Sequence, residues 1–150
     1  MLVGSTIQAI DTFACEPVHS AWANAHTTLI ATSMAVLALA DGRLLLIAPQ
    51  EVELEQGKYP SLGLGISECG AGRRSWVAPN GETYAMASLA PVSPLLPFTV
   101  QSVGQSDPVG EGAVSELSLE SATGACLVFR HIMPPMTLGI DFECPGQAPN

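Results

Sequence analysis

With 150 residues, 47% hydrophobic and 13% charged side chains, the chain is too apolar to remain disordered. It is also long enough to bury roughly 70% of its unfolded surface around one core. Five basic residues against 14 acidic ones leave a formal charge of −9. That charge opposes approach to phosphate backbones and anionic membrane surfaces, so neither nucleic acid nor a membrane is an expected partner.

Met1 to Thr12 has no basic residue ahead of its apolar stretch and contains Asp11, unlike a secretory leader. The apolar stretch from Thr27 to Ala40 is shorter than the roughly 20 residues that span a bilayer. A cytoplasmic location is expected. Cys15, Cys69, Cys126 and Cys144 are widely spaced without a Cys-x-x-Cys pair, and reduced thiols fit that compartment. Two disulfides in a secreted protein are the competing account.

In chain order, Thr6 to Phe13 is predicted as a strand. Pro17 to Ala25 sets Val18, Ala21, Trp22 and Ala25 at helical spacing with Pro17 in the first turn, which predicts one short helix. The stretch from Thr28 to Ala40 is apolar all round and runs into Asp41-Gly42, a hairpin turn signal, so it reads as strand. A two-residue turn there sets Leu39 opposite Leu44, Leu37 opposite Leu46 and Val36 opposite Ile47. Both faces are then apolar, as in a central hairpin covered on both sides.

Strands are expected at Val52 to Gln56 and Leu62 to Cys69. A second hairpin turns at Asn80-Gly81, with Val77 facing Tyr84 and Trp76 facing Ala85, and Pro79 marks it as peripheral. Ala90 to Pro97 is predicted as a loop and Phe98 to Val103 as a strand. A third hairpin from Val114 to Ile132 turns at Ser121 to Gly124. Its first strand has Ser115, Leu117 and Leu119 on one face and Glu116, Ser118 and Glu120 on the other. Leu127, Val128 and Phe129 in succession predict a return strand covered on both faces. A last strand is expected at Thr137 to Glu143, and Pro145 to Asn150 reads as a flexible tail. The expectation is one mainly β domain over residues 1–144. Its antiparallel sheets meander into a sandwich or a partly closed barrel, with one short helix near residues 17–25.

No phosphate-binding, dinucleotide-binding, zinc-protease, nucleophile-elbow or calcium-loop motif is present, and no cofactor or metal is expected. Cys15 with His19 lacks an orienting third group, and His19 with His26 lacks a second pair of metal ligands. His131 shares strand parity with Leu127 and Phe129 and is the residue around which a small-molecule or catalytic site is conceivable. The acids carry more spatial content. Glu51, Glu53 and Glu55 alternate with apolar residues, Glu116 and Glu120 share a face, and Asp141 and Glu143 oppose Leu138, Ile140 and Phe142 in parity.

These seven carboxylates form the expected partner-binding face of a non-enzymatic bacterial binding protein, such as an immunity or inhibitor protein that neutralises a basic toxin. Ordinary solvated strand faces are the plainer explanation of the same pattern. The other classes are a small-molecule-binding barrel or an enzyme with a noncontiguous site near His131, and a structural subunit or secretion chaperone.

Overall fold

Three tight turns set the pairing of most strands. The computed structural model describes residues 2–13, 16–18, 29–53, 61–107, 112–132 and 136–143. Within them, Gly42, Gly81 and Gly124 have φ of 94°, 88° and 89°. Each donates its N–H to the carbonyl three residues back, at Leu39, Ala78 and Ser121. The next bond out closes a three-residue loop, from Leu39 N–H to Arg43 O, Ala78 N–H to Glu82 O and Ser121 N–H to Ala125 O, at 2.8–2.9 Å.

The two-residue turns expected at Asp41-Gly42 and Asn80-Gly81 need positive φ at both central positions. Asp41 and Asn80 keep negative φ. Their side chains instead accept the N–H of Arg43 at 2.9 Å and of Glu82 at 3.0 Å. The extra loop residue moves each register by one, so the expected pairs are corrected. Leu37 faces Leu45, Val36 faces Leu46, and Trp76 faces Tyr84. Pro79 lies in the loop, where its fixed φ suits the first central position of the turn.

The strands are β1 (Thr6–Thr12), β2 (Glu16–Val18), β3 (Leu29–Thr32), β4 (Ala35–Leu39), β5 (Leu44–Val52), β6 (Ser61–Glu68), β7 (Ser75–Val77), β8 (Thr83–Ala85), β9 (Ala87–Ser88), β10 (Phe98–Ser106), β11 (Glu116–Ser121), β12 (Cys126–Ile132) and β13 (Thr137–Glu143). All but β7 and β8 join one antiparallel sheet in the order β2-β3-β13-β12-β11-β10-β1-β4-β5-β6, with β9 paired to β1. β7 and β8 form a separate ribbon.

The sheet folds on itself where β1 meets β10, a short seam in which Thr6 and Ile7 pair with Thr99 and Phe98 and the backbone of Gly4 and Ser5 bonds Val100. One wall is β1-β4-β5-β6 and the other β10-β11-β12-β13, extended by β3 and β2. Each wall repeats the same plan of strand, hairpin and strand. Among the described residues a single backbone bond, from Leu64 N–H to Val114 O at 2.8 Å, reaches from β6 to the far wall without a strand ladder. The fold is mainly β as expected and is not a closed barrel.

Between the walls lies one contiguous apolar core. Ile7, Ile10, Leu37 and Ile47 pack from one side, and Phe98, Leu119, Leu127, Phe129, Leu138 and Ile140 from the other, all buried. The β4–β5 hairpin is covered on both faces, as its composition predicts. Leu37 and Ile47 point inward, while Val36 and Leu46 are buried on the outer face. Asp11, opposite Val36, receives Arg74 at 3.2 Å, which fixes the chain after residue 70 against that outer face.

Four further expectations are corrected. Pro17 and Val18 belong to β2, paired with Ile30 and Leu29, so no helix starts at Pro17; residues 19–25 lie outside the described residues. Val52 ends the long β5 instead of opening a new strand. The 90–97 segment contains a 3-10 helix at Ala90–Leu95 that buries Val92 and Leu95. β12 alternates strictly: Leu127, Phe129 and His131 are buried, while Cys126, Val128 and Arg130 are only half-buried on the outer face. The tail at 145–150 lies outside the described residues.

Candidate functional site

The corrected register of the β7–β8 ribbon puts Trp76 directly across from Tyr84, on one face. Their rings stack with centroids 5.5 Å apart and planes inclined by 28°. Trp76 is 54% exposed and Tyr84 46%. The phenol donates a 2.6 Å bond to Glu82, which raises the Tyr84 pKa. The ribbon follows a 3-10 turn at Ala71–Arg74 and is closed at its base by Met86 N–H to Arg74 O, 2.7 Å. Beyond the base, β9 pairs Ser88 with Asp11, and Leu89 N–H bonds Ile10 O at 2.8 Å. The ribbon is therefore anchored at its root while its aromatic face stays uncovered.

Opposite the ribbon stand Phe13, at the end of β1, and Ser33 and Met34, in the turn between β3 and β4. Between the two sides runs a groove of about 610 Å³ lined by these residues with Arg73, Ser75, Trp76, Thr83, Tyr84 and Ala85. That volume falls within the roughly 300–1,000 Å³ typical of small-molecule sites. The lining supplies aromatic stacking surface, a thioether, hydroxyls and one guanidinium, a set suited to holding a ligand.

The acidic residues separate into two groups. Glu116, Glu120, Asp141 and Glu143 all project from the outward face of β11, β12 and β13, opposite in parity to buried Leu117, Leu127 and Ile140. Arg130 lies between Glu116 and Asp141, bonded to both, with 3.2 Å to Asp141. Burial alone would raise the Glu116 carboxyl, but the Ser106 hydroxyl and the Arg130 guanidinium outweigh it and hold the group below the usual carboxylate range. A depressed folded pKa stabilises the protein above the unfolded value, and that contribution is lost as pH falls through the folded one. Glu120 and Glu143 flank the half-buried Cys126, whose thiol pKa is pushed up by burial and then by Glu120, Glu143 and Asp141. Glu51 and Glu53 are exposed at the end of β5, on the other wall, and Glu55 lies outside the described residues.

His131 is 4% exposed on the inner face of β12. Its Nδ1–H donates to Gly63 O on β6 at 2.9 Å, and its Nε2 accepts the N–H of Met136 at 2.8 Å. The ring joins the two walls and braces Met136, whose φ of 68° is unusual for a side-chain-bearing residue. Beside it in the same cross-strand row are Ser115 and, beyond Leu138, Thr32, whose buried hydroxyls have no hydrogen-bond partner among the described residues.

Cys69 and Cys126 are free thiols, while Cys15, Cys144, His19 and His26 lie outside the described residues. Among the described residues no group of three or more His, Cys, Asp or Glu is placed to hold a metal ion. None of the described helices is long and apolar enough to cross a membrane. Comparison with protein-family models, curated proteins and solved structures finds no match for the chain.

Proposed function

We propose that this chain is a non-enzymatic binding protein whose contact surface is the groove between the β7–β8 ribbon and the β3–β4 turn. The observation that carries this reading is the stacked, half-exposed Trp76–Tyr84 pair on a ribbon outside the main sheet. Aromatic side chains in a recess dominate binding energy because they offer large apolar area with few rotatable bonds. The core is complete without this pair, since neither ring belongs to the buried cluster. The test is mass spectrometry of small molecules retained by protein purified from its native cell. The expected result is a stoichiometric ligand, chemically unchanged, that is lost from the Trp76→Ala/Tyr84→Ala variant. Identical retained material in both proteins would contradict the reading.

A second reading draws on the outward wall of β11–β13, where four carboxylates share one face. It makes the chain an inhibitor or immunity protein for a basic toxin, with an association rate that falls as salt screens the attraction. Arg130 neutralises much of the charge of Glu116 and Asp141, leaving Glu120 and Glu143 as the principal contributors. The aromatic groove is therefore the stronger contact surface.

A further inference from the structure

We propose that the groove takes a planar aromatic ligand bearing one anionic group, held by the Arg73 guanidinium while its ring lies against Trp76 and Tyr84. This rests on the groove being the contact surface. Its basis is the pairing of the arginines in a chain of formal charge −9. Arg43 pairs with Asp41 at 2.7 Å and Glu68 at 3.8 Å. Arg74 pairs with Asp11 at 3.2 Å, and Arg130 with Glu116 and Asp141. Arg73 alone among the described arginines has no carboxylate partner among the described residues, and among those residues it is the one charged side chain lining the groove.

The 3-10 turn explains how two adjacent arginines reach different fates. Three residues per turn send successive side chains about 120° apart, so Arg74 reaches down to Asp11 while Arg73 is left exposed beside the ribbon. With so many acids available, an arginine without one retains its full capacity for an incoming anion. A guanidinium meets a carboxylate, sulfonate or phosphate with paired N–H donors, and such charge-assisted bonds are roughly twice as strong as neutral ones. The rest of the described lining is aromatic, apolar or hydroxylic, which suits the body of the ligand. The surrounding negative field disfavours anions generally, so the groove selects those whose ring adds stacking to the contact with Arg73.

Two dyes with the same aromatic skeleton separate charge from stacking: anilinonaphthalene sulfonate, which is anionic, and N-phenylnaphthylamine, which lacks the sulfonate. Both are titrated by fluorescence against wild type, Arg73→Gln, Arg73→Lys and Trp76→Ala, each verified as folded by circular dichroism. Wild type is expected to bind one equivalent of each dye, the sulfonate more tightly. Arg73→Gln should weaken the sulfonate roughly tenfold or more and leave the neutral dye within about twofold. Arg73→Lys should recover part of the loss, and Trp76→Ala should weaken both dyes. Equal sulfonate affinity in wild type and Arg73→Gln, with both dyes still sensitive to Trp76→Ala, would overturn the charge assignment and leave the groove standing. Insensitivity of both dyes to Trp76→Ala, or no binding of either by wild type, would overturn the groove reading and this inference with it.

Discussion

Replacing Phe129 by alanine is expected to destabilise the protein by about 3–5 kcal/mol, the range for deleting a fully buried aromatic ring. Phe129 is 0% exposed at the centre of β12, with Leu117 and Ile140 opposite it on either side. These neighbours are held in two ladders, so they cannot close over the gap, and both the lost transfer energy and the cavity count against the folded state. Urea denaturation of wild type and variant measures the effect through the midpoint at constant slope. Val77→Ala, on the exposed ribbon, is the internal control and should change stability by no more than about 0.5 kcal/mol. A Phe129→Ala loss no larger than that of the control would mean that the two walls do not meet around this ring.

His131→Leu is expected to cost about 1–3 kcal/mol although leucine is close in size and more apolar. The substitution removes both bonds of the ring, leaving the Gly63 carbonyl and the Met136 N–H without their partner. The buried Gly63 carbonyl left unsatisfied costs about 1–3 kcal/mol, while the N–H of Met136, a residue 49% exposed, can turn to water. Met136 would also lose the contact that holds it at positive φ. The same denaturation experiment applies, and amide exchange should accelerate at Met136 and at Leu64, next to Gly63. A loss below about 1 kcal/mol would show that the imidazole does not join the walls. Because both ring nitrogens are committed, the residue singled out for a ligand site is placed first as a structural cross-link.

The sequence reveals the strand-rich architecture because its glycines mark the turns and its leucines and isoleucines alternate along the strands. It does not reveal the register of the Asp41 and Asn80 hairpins. An Asp-Gly or Asn-Gly pair serves a two-residue or a three-residue loop, and the choice depends on whether the Asx residue itself takes positive φ. That ambiguity hid the most informative pairing in the chain, Trp76 opposite Tyr84. The coverage of the β4–β5 hairpin on both faces was legible from apolar residues at both parities. The same logic failed at β12, where Val128 is flanked by Ser118 and Asp141 on a half-buried outer face.

Parity alone brings Glu116, Glu120, Asp141 and Glu143 to one wall, but Arg130 becomes their counter-ion only through the pairing of three strands. The groove was less accessible still. Phe13, Met34, Arg73, Trp76 and Tyr84 come from three separate stretches of the chain, and nothing in their spacing joins them. The usable signal was a hairpin with an aromatic on each strand, preceded by Arg73-Arg74, outside the run of core-forming strands.

The central claim is that ligands bind between the ribbon and the β3–β4 turn. An amide proton–nitrogen correlation spectrum, assigned and then titrated with anilinonaphthalene sulfonate, tests it most directly. The account predicts saturable shifts centred on Phe13, Ser33, Met34, Arg73, Trp76 and Tyr84, with Cys126, Val128 and Glu143 on the outward wall unmoved. Shifts centred on that wall, or spread along the chain with none at the groove, would contradict it.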